Sequence, residues 1–299
     1  MRRWRRAAWV VGVVLGMGAP TAGRAVAETT LTAIYPSIGG DDSRNAYPLA
    51  VLRLALERWS AAGPDRHFRL AQDDALRTQA RVVADLAAGR DLTVAWMGTS
   101  AELEARLRPV RVPIWRGLLG YRLLLIARDR QPEFAAVRSL ADLARFTMGQ
   151  GIGWADVAIL ERAGLTVVTA PYESLFAMTA AGRVDAFPRG AGEALTELAE
   201  YGPANPGLAV EQELLLVYRF DMFFFTAPRD VALAEAIQGG LEAAYRDGSF
   251  LELFRTHPSI VALFRAGRIE ARRRLDIPNP LLTGDTAALP ARYWYGPEG

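Results

Sequence analysis

The alternation of apolar and polar positions near the start of the chain predicts a strand–helix–strand–helix–strand series. Leu31–Tyr35 alternates as a half-buried strand does, and Phe68–Leu70 and Leu92–Trp96 are two further short apolar runs. Apolar residues at helical spacing fill the intervals, in one helix opened by Pro48 and a second helix from about Asp74. This order is typical of a mostly parallel sheet covered by helices.

A second series of the same kind follows a long apolar run. Leu118–Ile126 contains a glycine, and we interpret it as a crossing from a first lobe to a second. Short strands and helices alternate from residue 146 to residue 187. Leu214–Phe220 is then interpreted as the return crossing, after which Met222–Thr226 rejoins the first lobe. Two such lobes leave a cleft between them, and a cleft is where small ligands are held.

A near repeat supports lobes of similar build. Ala87–Asp91 and Ala180–Asp185 have almost the same sequence. Each ends a helical stretch with a glycine that can adopt a positive φ, and each then opens a short apolar run. The two phrases therefore predict the same helix–glycine–strand unit in both lobes.

The first 27 residues have the pattern of a secretory signal peptide. Four arginines between Arg2 and Arg6 precede an apolar run from Ala7 to Ala19, and Ala25–Ala27 is a small-x-small cleavage site. The run is too short to span a membrane as a helix. We expect cleavage after residue 27 and a periplasmic protein, with a retained amphipathic anchor as the alternative.

Composition narrows the chemistry further. The chain has no cysteine, and all 35 of its basic residues are arginine. Disulfides, thiol nucleophiles and catalytic or phosphate-binding lysines are therefore excluded. His67 and His257 are the two histidines, and both lie in surface-like contexts, so the sequence predicts no catalytic residue, no metal site and no cofactor.

The net charge gives no indication of a nucleic-acid partner. Cleavage after Ala27 removes five arginines and no acid, which changes the balance from 35 basic against 33 acidic residues to 30 against 33. The basic excess of the whole chain therefore comes from the predicted signal peptide. We expect the mature chain to be a monomer that does not span the membrane.

Several short motifs follow one another in a characteristic order. They are Ala88–Trp96, Gly98–Glu102, Pro113–Trp115, Ser139–Leu143, the Gly149–Gly151 loop, Gly182–Ala186 and Asp247–Phe250. Together they resemble the extracellular solute-binding proteins of family 3, which are periplasmic type II binding proteins that feed ABC importers. The resemblance covers about Thr30 to Thr256. It implies an α/β, two-lobed fold in which each lobe is a mostly parallel sheet flanked by helices, and two hinge strands join the lobes.

The predicted domains follow from the signal peptide and the two crossings. Residues 1–27 form the signal peptide, 28–121 together with 219–275 form lobe 1, 122–218 form lobe 2, and 276–299 form an extended C-terminal tail.

The resemblance also implies which positions face the cleft. Carried over by position, they are Ser37, Asp41, Gly98, Thr99, Ser100, Gln150, Gly151, Gly153, Trp154 and Arg189. This chain departs from the amino-acid binders of the family at two anchors. Leu103 stands where they have an arginine for the α-carboxylate, and Arg189 with Gly190 stands where they have an acid for the α-ammonium. A standard α-amino acid is therefore not the expected ligand.

We expect a small polar or anionic solute instead. Arg189 and Arg122 would supply positive charge, because a buried arginine without a partner is costly unless an anion compensates it. Trp96, Trp115 or Trp154 would supply a flat apolar wall. The alternatives are a salt bridge from Arg189 to a local acid such as Glu193, an exposed Arg122, and ordinary core packing for each tryptophan.

The predicted function is a binding protein that closes around its solute by hinge motion and delivers it to an ABC permease. One alternative is a sensory subunit that presents the ligand to a membrane receptor. Another is a periplasmic dehydratase-like enzyme on the same fold, for which the candidate acids are Asp41, Glu102, Asp156 and Glu173.

Overall fold

The computed structural model describes residues 28–37 and 43–296. The predicted signal peptide and the candidate ligand residue Asp41 therefore lie outside the described residues. Within the described part, none of the helices has both the length and the apolar content that a membrane crossing requires.

Strands and helices alternate along the chain. The strands are β1 (Thr29–Pro36), β2 (Arg66–Asp73), β3 (Val94–Gly98), β4 (Arg108–Val110), β5 (Tyr121–Ala127), β6 (Thr147–Gly151), β7 (Thr166–Ala170), β8 (Ala186–Gly190), β9 (Leu208–Val210), β10 (Leu214–Val217), β11 (Met222–Thr226) and β12 (Arg273–Asp276). The helices are α1 (Ser43–Ala61), α2 (Gln79–Ala88), α3 (Ala101–Arg106), α4 (Gln131–Ala135), α5 (Leu140–Leu143), α6 (Ala155–Arg162), α7 (Tyr172–Ala180), α8 (Ala191–Tyr201), α9 (Val231–Asp247), α10 (Ser249–Thr256), α11 (Pro258–Gly267) and α12 (Gly284–Ala287).

The strands form two groups, as the predicted two-lobed α/β architecture requires. In the first group, β1 pairs in parallel with β2, and β11 lies antiparallel between β3 and β4. The N–H of Thr93 donates to the carbonyl of Ile34 at 3.0 Å, which holds β1 beside β3. In the second group, the sheet order is β12-β10-β5-β8-β6-β7, and β9 pairs with the end of β5.

The chain passes between the two groups at the predicted crossings. The first passage is just before β5, and the second is between β10 and β11. The N–H of Tyr218 donates to the carbonyl of Gly120, and the N–H of Gly120 donates to the carbonyl of Phe220, both at 3.1 Å. A Cβ at position 120 would overlap the carbonyl oxygen of Tyr218, so only glycine lets the two crossing backbones approach this closely.

Two helix starts differ from the sequence expectation. Helix α1 begins at Ser43, so Pro48 lies inside the helix and does not open it. Helix α2 begins at Gln79, where the Thr78 hydroxyl accepts from the N–H of Arg81. Helix α3 begins at Ala101, and the hydroxyl of its N-cap Ser100 accepts from the N–H of Leu103.

The C-terminal quarter of the chain crosses between the groups twice more. Helix α11 packs on α8, and β12 pairs in parallel with β10. Residues 273–276 therefore lie in the large sheet, whereas the predicted boundaries assigned 273–275 to lobe 1 and 276 to the tail. The tail then returns to the first group, where the hydroxyls of Thr283 and Thr286 donate to the carboxylate of Glu104, each at 2.8 Å. The tail is thus a strap that joins the large sheet to helix α3.

Candidate binding cleft

A small cavity lies where the two groups of strands face each other, and we call it the inner chamber. Its volume is about 160 Å³. Its walls come from β3 and α2 on one side, from β5, α6, β8 and α8 on the other, and from the crossing segments between them. The lining residues are Gln79, Trp96, Met97, Gly98, Leu119, Arg122, Trp154, Ala155, Asp156, Arg189, Glu193, Phe220 and Met222.

Arg122 at the floor of the inner chamber is held by a buried carboxylate. Its guanidinium donates to Asp156, and the hydroxyl of Tyr218 donates to the same oxygen. The other terminal nitrogen of Arg122 lies 3.6 Å from a carboxylate oxygen of Glu193. Burial alone would lower the pKa of Arg122, but Asp156 and Glu193 raise it above its ordinary value. Burial and the neighbouring Asp156 raise the pKa of the Tyr218 phenol, so Tyr218 stays a neutral donor.

Arg189 forms a second buried ion pair. Its Nε and one terminal nitrogen donate to the two oxygens of Glu197, both at 2.7 Å, in the bidentate geometry that suits a guanidinium. The same terminal nitrogen of Arg189 lies 3.2 Å from a carboxylate oxygen of Glu193. The guanidinium also lies 4.5 Å from the ring centroid of Trp154, which is a cation–π distance. Burial alone would lower the pKa of Arg189, but the carboxylates of Glu193 and Glu197 raise it above its ordinary value.

The charged cluster therefore compensates itself, and the expectation of an unpaired Arg189 is wrong. The alternative, a salt bridge to Glu193, is present, and Glu197 adds a closer partner. Arg122 is not exposed either. Two arginines face three carboxylates, those of Asp156, Glu193 and Glu197. The side chain of Glu193 is 21% exposed and that of Arg189 is 7% exposed, so the cluster presents a carboxylate to the chamber more than a guanidinium.

A second cavity opens from the inner chamber, and we call it the outer chamber. Its volume is about 990 Å³, and it shares Gln79, Gly98, Trp154 and Ala155 with the inner chamber. The remaining lining residues are Ala80, Val83, Ser100, Ala101, Glu102, Leu103, Arg106, Ile152, Gly153, Val157, Ala158, Thr169, Pro280, Leu281 and Leu282. Three separate segments meet here: helices α2 and α3, the start of α6 with the loop before it, and the tail.

Glu104 fixes the tail wall of the outer chamber. Besides Thr283 and Thr286, its carboxylate accepts from the hydroxyl of Thr99 at 2.8 Å and from the guanidinium of Arg111 at 3.0 Å. The Glu104 side chain is buried, so these charge-assisted bonds are stronger than they would be in water. The carboxylate therefore connects the loop before α3 to the tail.

The structure brings seven of the predicted site residues to the chambers. Trp96, Arg122 and Arg189 line the inner chamber, Ser100 and Gly153 line the outer chamber, and Gly98 and Trp154 line both. Two glycines in this region have a steric role. A Cβ at Gly98 would overlap the ring of Phe220, and a Cβ at Gly151 would overlap the ring of Trp154.

The other predicted site residues that the structure describes do not line either chamber. Ser37 follows β1, and its N–H donates to the carbonyl of Asp73. Thr99 is buried against Glu104, and Gln150 lies inside the large sheet, where its amide donates to the carbonyl of Pro188 at 3.2 Å. Gly151 is buried behind the ring of Trp154, and Trp115 packs on Tyr47 with ring centroids 4.6 Å apart.

The sequence analysis named Asp156 as a candidate acid and Glu193 as a possible partner of Arg189, but it did not include either among the ligand-binding residues. Asp156 and Glu193 both lie in the first turn of a helix that follows a strand of the large sheet. Such positions point toward the carboxyl edge of the sheet, where open α/β sheets bind ligands. This signal was available for Asp156 and Glu193. Leu281 and Leu282 carry no comparable signal, because only the folded tail places them beside α3.

Another cavity, of about 500 Å³, lies between the crossing strands and the end of the tail. Arg116, Arg219 and Arg274 line it together with Trp294 and other residues. None of its lining residues is shared with the two chambers. Among the described residues, no group of three or more acidic or histidine side chains is arranged to hold a metal ion.

Comparison with known proteins shows the fold and no closer relationship. Neither a protein-family model nor a curated protein matches the sequence. Many solved structures match in fold. One, described for glutathione import through GshT and a cystine ABC importer of Streptococcus mutans, has a TM-score of 0.54 at 12% identity and covers 77% of this chain and 95% of its own.

Two further structures illustrate the range of roles. An ancestral arginine-binding protein bound to glutamine has a TM-score of 0.53 at 15% identity and covers 77% of this chain and 98% of its own. A histidine kinase sensor domain with similarity to periplasmic binding proteins has a TM-score of 0.53 at 14% identity. It covers 75% of this chain and 93% of its own. These neighbours confirm the predicted fold class, the two-lobed α/β fold of periplasmic binding proteins.

Proposed function

We propose that this chain is a periplasmic binding protein that closes its two lobes around a small polar solute and delivers it to an ABC importer. The observation that supports this most directly is the inner chamber. It is lined from both groups of strands, and polar side chains of α6, β8 and α8 converge on it. A concave site with a few oriented polar groups between two lobes is the usual form of a small-molecule site.

The proposed lobe division follows the crossings near residues 121 and 218, with the tail as an additional connection. The paired backbones at Gly120 and Tyr218 would act as the hinge, since they lie between the two groups of strands. Cleavage after Ala27 is part of the same proposal. N-terminal sequencing of the exported protein should then begin at Glu28.

The polar group of the solute is better matched by a neutral donor or a cation than by an anion. The reason for expecting an anion was an uncompensated arginine, and both arginines are paired. The greater exposure of the Glu193 carboxylate than of the Arg189 guanidinium favours a ligand that donates hydrogen bonds.

The direct test is native mass spectrometry of the protein purified from the periplasm without refolding, because a tight binder retains its solute. Calorimetry with the solute so identified should give a one-to-one complex. Trp154→Leu should weaken it at least tenfold, whereas Trp294→Leu, which alters the separate cavity at the end of the tail, should not. If both variants bind equally well, the cleft is not the site.

A sensory role is the second candidate, and the observation that favours it is the fold shared with a histidine kinase sensor domain. The two roles differ in cells. Loss of solute uptake in a strain lacking the gene supports transport. Unchanged uptake with a lost transcriptional response to the solute supports the sensory role.

An enzymatic role has less support from the geometry. Of the candidate acids, Asp156 lies in the inner chamber and is engaged by Arg122 and Tyr218. Glu102 is paired with Arg106 at 3.2 Å, and Glu173 is exposed on α7. Mass analysis of the solute after prolonged incubation with the protein should show no product.

A further inference from the structure

The inner chamber is too small to hold a typical ligand by itself. Its volume is about 160 Å³. Sites for small molecules usually have volumes of about 300–1,000 Å³. A solute anchored at the charged cluster must therefore extend into the outer chamber, with which the inner chamber shares Gly98 and Trp154.

The outer chamber differs in chemistry from the inner one. Its ionised side chains are Glu102 and Arg106, which form an i,i+4 ion pair with each other on α3. Most of the other lining side chains are apolar. They are Ala80, Val83, Ala101, Leu103, Ile152, Trp154, Ala155, Val157, Ala158, Pro280, Leu281 and Leu282.

The apolar surface at the rim is unusual for exposed positions. Ile152 is 67% exposed, although it precedes α6 at the edge of the chamber. Leu281 and Leu282 approach from the tail, which Thr283 and Thr286 hold on Glu104 directly after them. Ile152, Leu281 and Leu282 line the same cavity, and a continuous apolar surface in a groove is typical of a ligand-binding site.

We infer that the solute is amphiphilic. A small cationic or hydrogen-bond-donating end would occupy the inner chamber near Glu193, and an apolar body of several carbons would lie in the outer chamber against Ile152, Leu281 and Leu282. The C-terminal tail is then part of the binding site. This inference rests on the proposed solute-binding function and specifies the class of solute.

The test uses unbranched alkylammonium ions as probes, in calorimetry with the full mature chain. Butyl-, hexyl- and octylammonium share one charged end and differ in apolar length. Each buried methylene contributes about 0.8 kcal/mol, which is about a fourfold gain in affinity per carbon. We expect affinity to rise by about tenfold or more from each probe to the next. Alkyl carboxylates of the same lengths should bind at least tenfold more weakly.

Two variants assign the effect to the outer chamber. Ile152→Ser and Leu281→Ser should each weaken octylammonium binding about tenfold and change butylammonium binding less than twofold. Leu76→Ser is the matched control, because Leu76 is 74% exposed and does not line either chamber. All titrations stay below the concentration at which octylammonium forms micelles.

The outcomes separate this inference from the proposed function. A polar solute that is retained and binds tightly, together with probe affinities that do not depend on chain length, overturns the inference that the solute is amphiphilic. The proposed solute-binding function then still holds. Carboxylates that bind more tightly than ammonium ions overturn the assignment of the charged end. Equal loss in the Leu76 variant overturns the role of the outer chamber. Absence of any retained solute, with no binding of any probe, removes both proposals.

Discussion

The inner and outer chambers adjoin each other but are held together by opposite means. In the inner chamber, side chains from several strands and helices bind one another, as Arg122 does with Asp156 and Arg189 does with Glu197. In the outer chamber, three segments present mainly apolar side chains such as Ile152 and Leu281 to the cavity, and the hydrogen bonds that attach the tail lie beside it at Glu104. The inner residues therefore contribute to stability as well as to the site, whereas the outer residues can change with little cost to the fold.

The largest expected effect breaks the inner network. Glu197→Gln leaves Arg189 with a neutral amide, whose N–H₂ group faces the guanidinium instead of accepting from it. Removing one partner of a buried ion pair costs about 3 kcal/mol or more in the free energy of unfolding. Urea unfolding measures this loss. Glu200→Gln, on the exposed side of the same helix α8, should change the value by less than about 0.5 kcal/mol. Equal losses in the two variants would contradict the difference between a buried pair and a surface carboxylate.

The next effect concerns the floor of the inner chamber. Gly120→Ala would drive a methyl group into the carbonyl of Tyr218 and separate the crossing backbones, with an expected loss of about 2 kcal/mol. Thermal and urea unfolding both report this loss. Gly239→Ala in α9 is the control, since a Cβ there meets no atom within 4 Å and alanine favours a helix by up to about 1 kcal/mol. A stabilising Gly120→Ala would show that the crossing strands are not packed as described.

A smaller effect is expected where the tail joins the outer chamber. Thr286→Val removes the hydroxyl that donates to Glu104 and should cost about 1 kcal/mol. Hydrogen exchange of backbone amides in residues 277–289 should become several-fold faster, while the amides of β5 and β8 should keep their rates. Thr286→Ser retains the hydroxyl and should leave the tail protected. Exchange that rises equally in the tail and in the large sheet would count against a local attachment.

The smallest effect is expected at the rim. Ile152→Ser should change the free energy of unfolding by less than about 0.5 kcal/mol, because the side chain is largely exposed and buries little surface on folding. A loss above about 1 kcal/mol, measured by urea unfolding, would mean that Ile152 supports the fold instead of lining a site.

Much of the fold could be predicted because its signals are local. Met222–Thr226 has the same bounds in the prediction and in the structure. Ser139, which begins the Ser139–Leu143 motif, caps helix α5, and its hydroxyl accepts from the N–H of Asp142 at 3.2 Å. The boundaries that failed were those at Pro48, which lies inside helix α1, and at Asp74, since Thr78 caps helix α2 four residues later.

The candidate site was predicted less completely. Trp96, Trp154, Arg122 and Arg189 line the chambers in the structure, and their contact with a solute stays a prediction. Of the acidic partners of the two arginines, only Glu193 had been considered, as the alternative partner of Arg189. Trp115 was expected at the cleft and instead packs on Tyr47. Residue type alone does not distinguish a tryptophan in the core from one at a cavity, because both environments remove its ring from water.

The sequence by itself determined the order of strands and helices, the two crossings and the supply of aromatic and charged side chains near them. These properties depend on residue spacing, and periods of two and 3.6 are set by neighbours along the chain. Only the tertiary structure decided which charges meet, since Arg122 finds Asp156 34 positions away and Glu104 finds Thr286 182 positions away. A buried charge must have a partner, but several acids could have served, and the packing of the sheets selects among them.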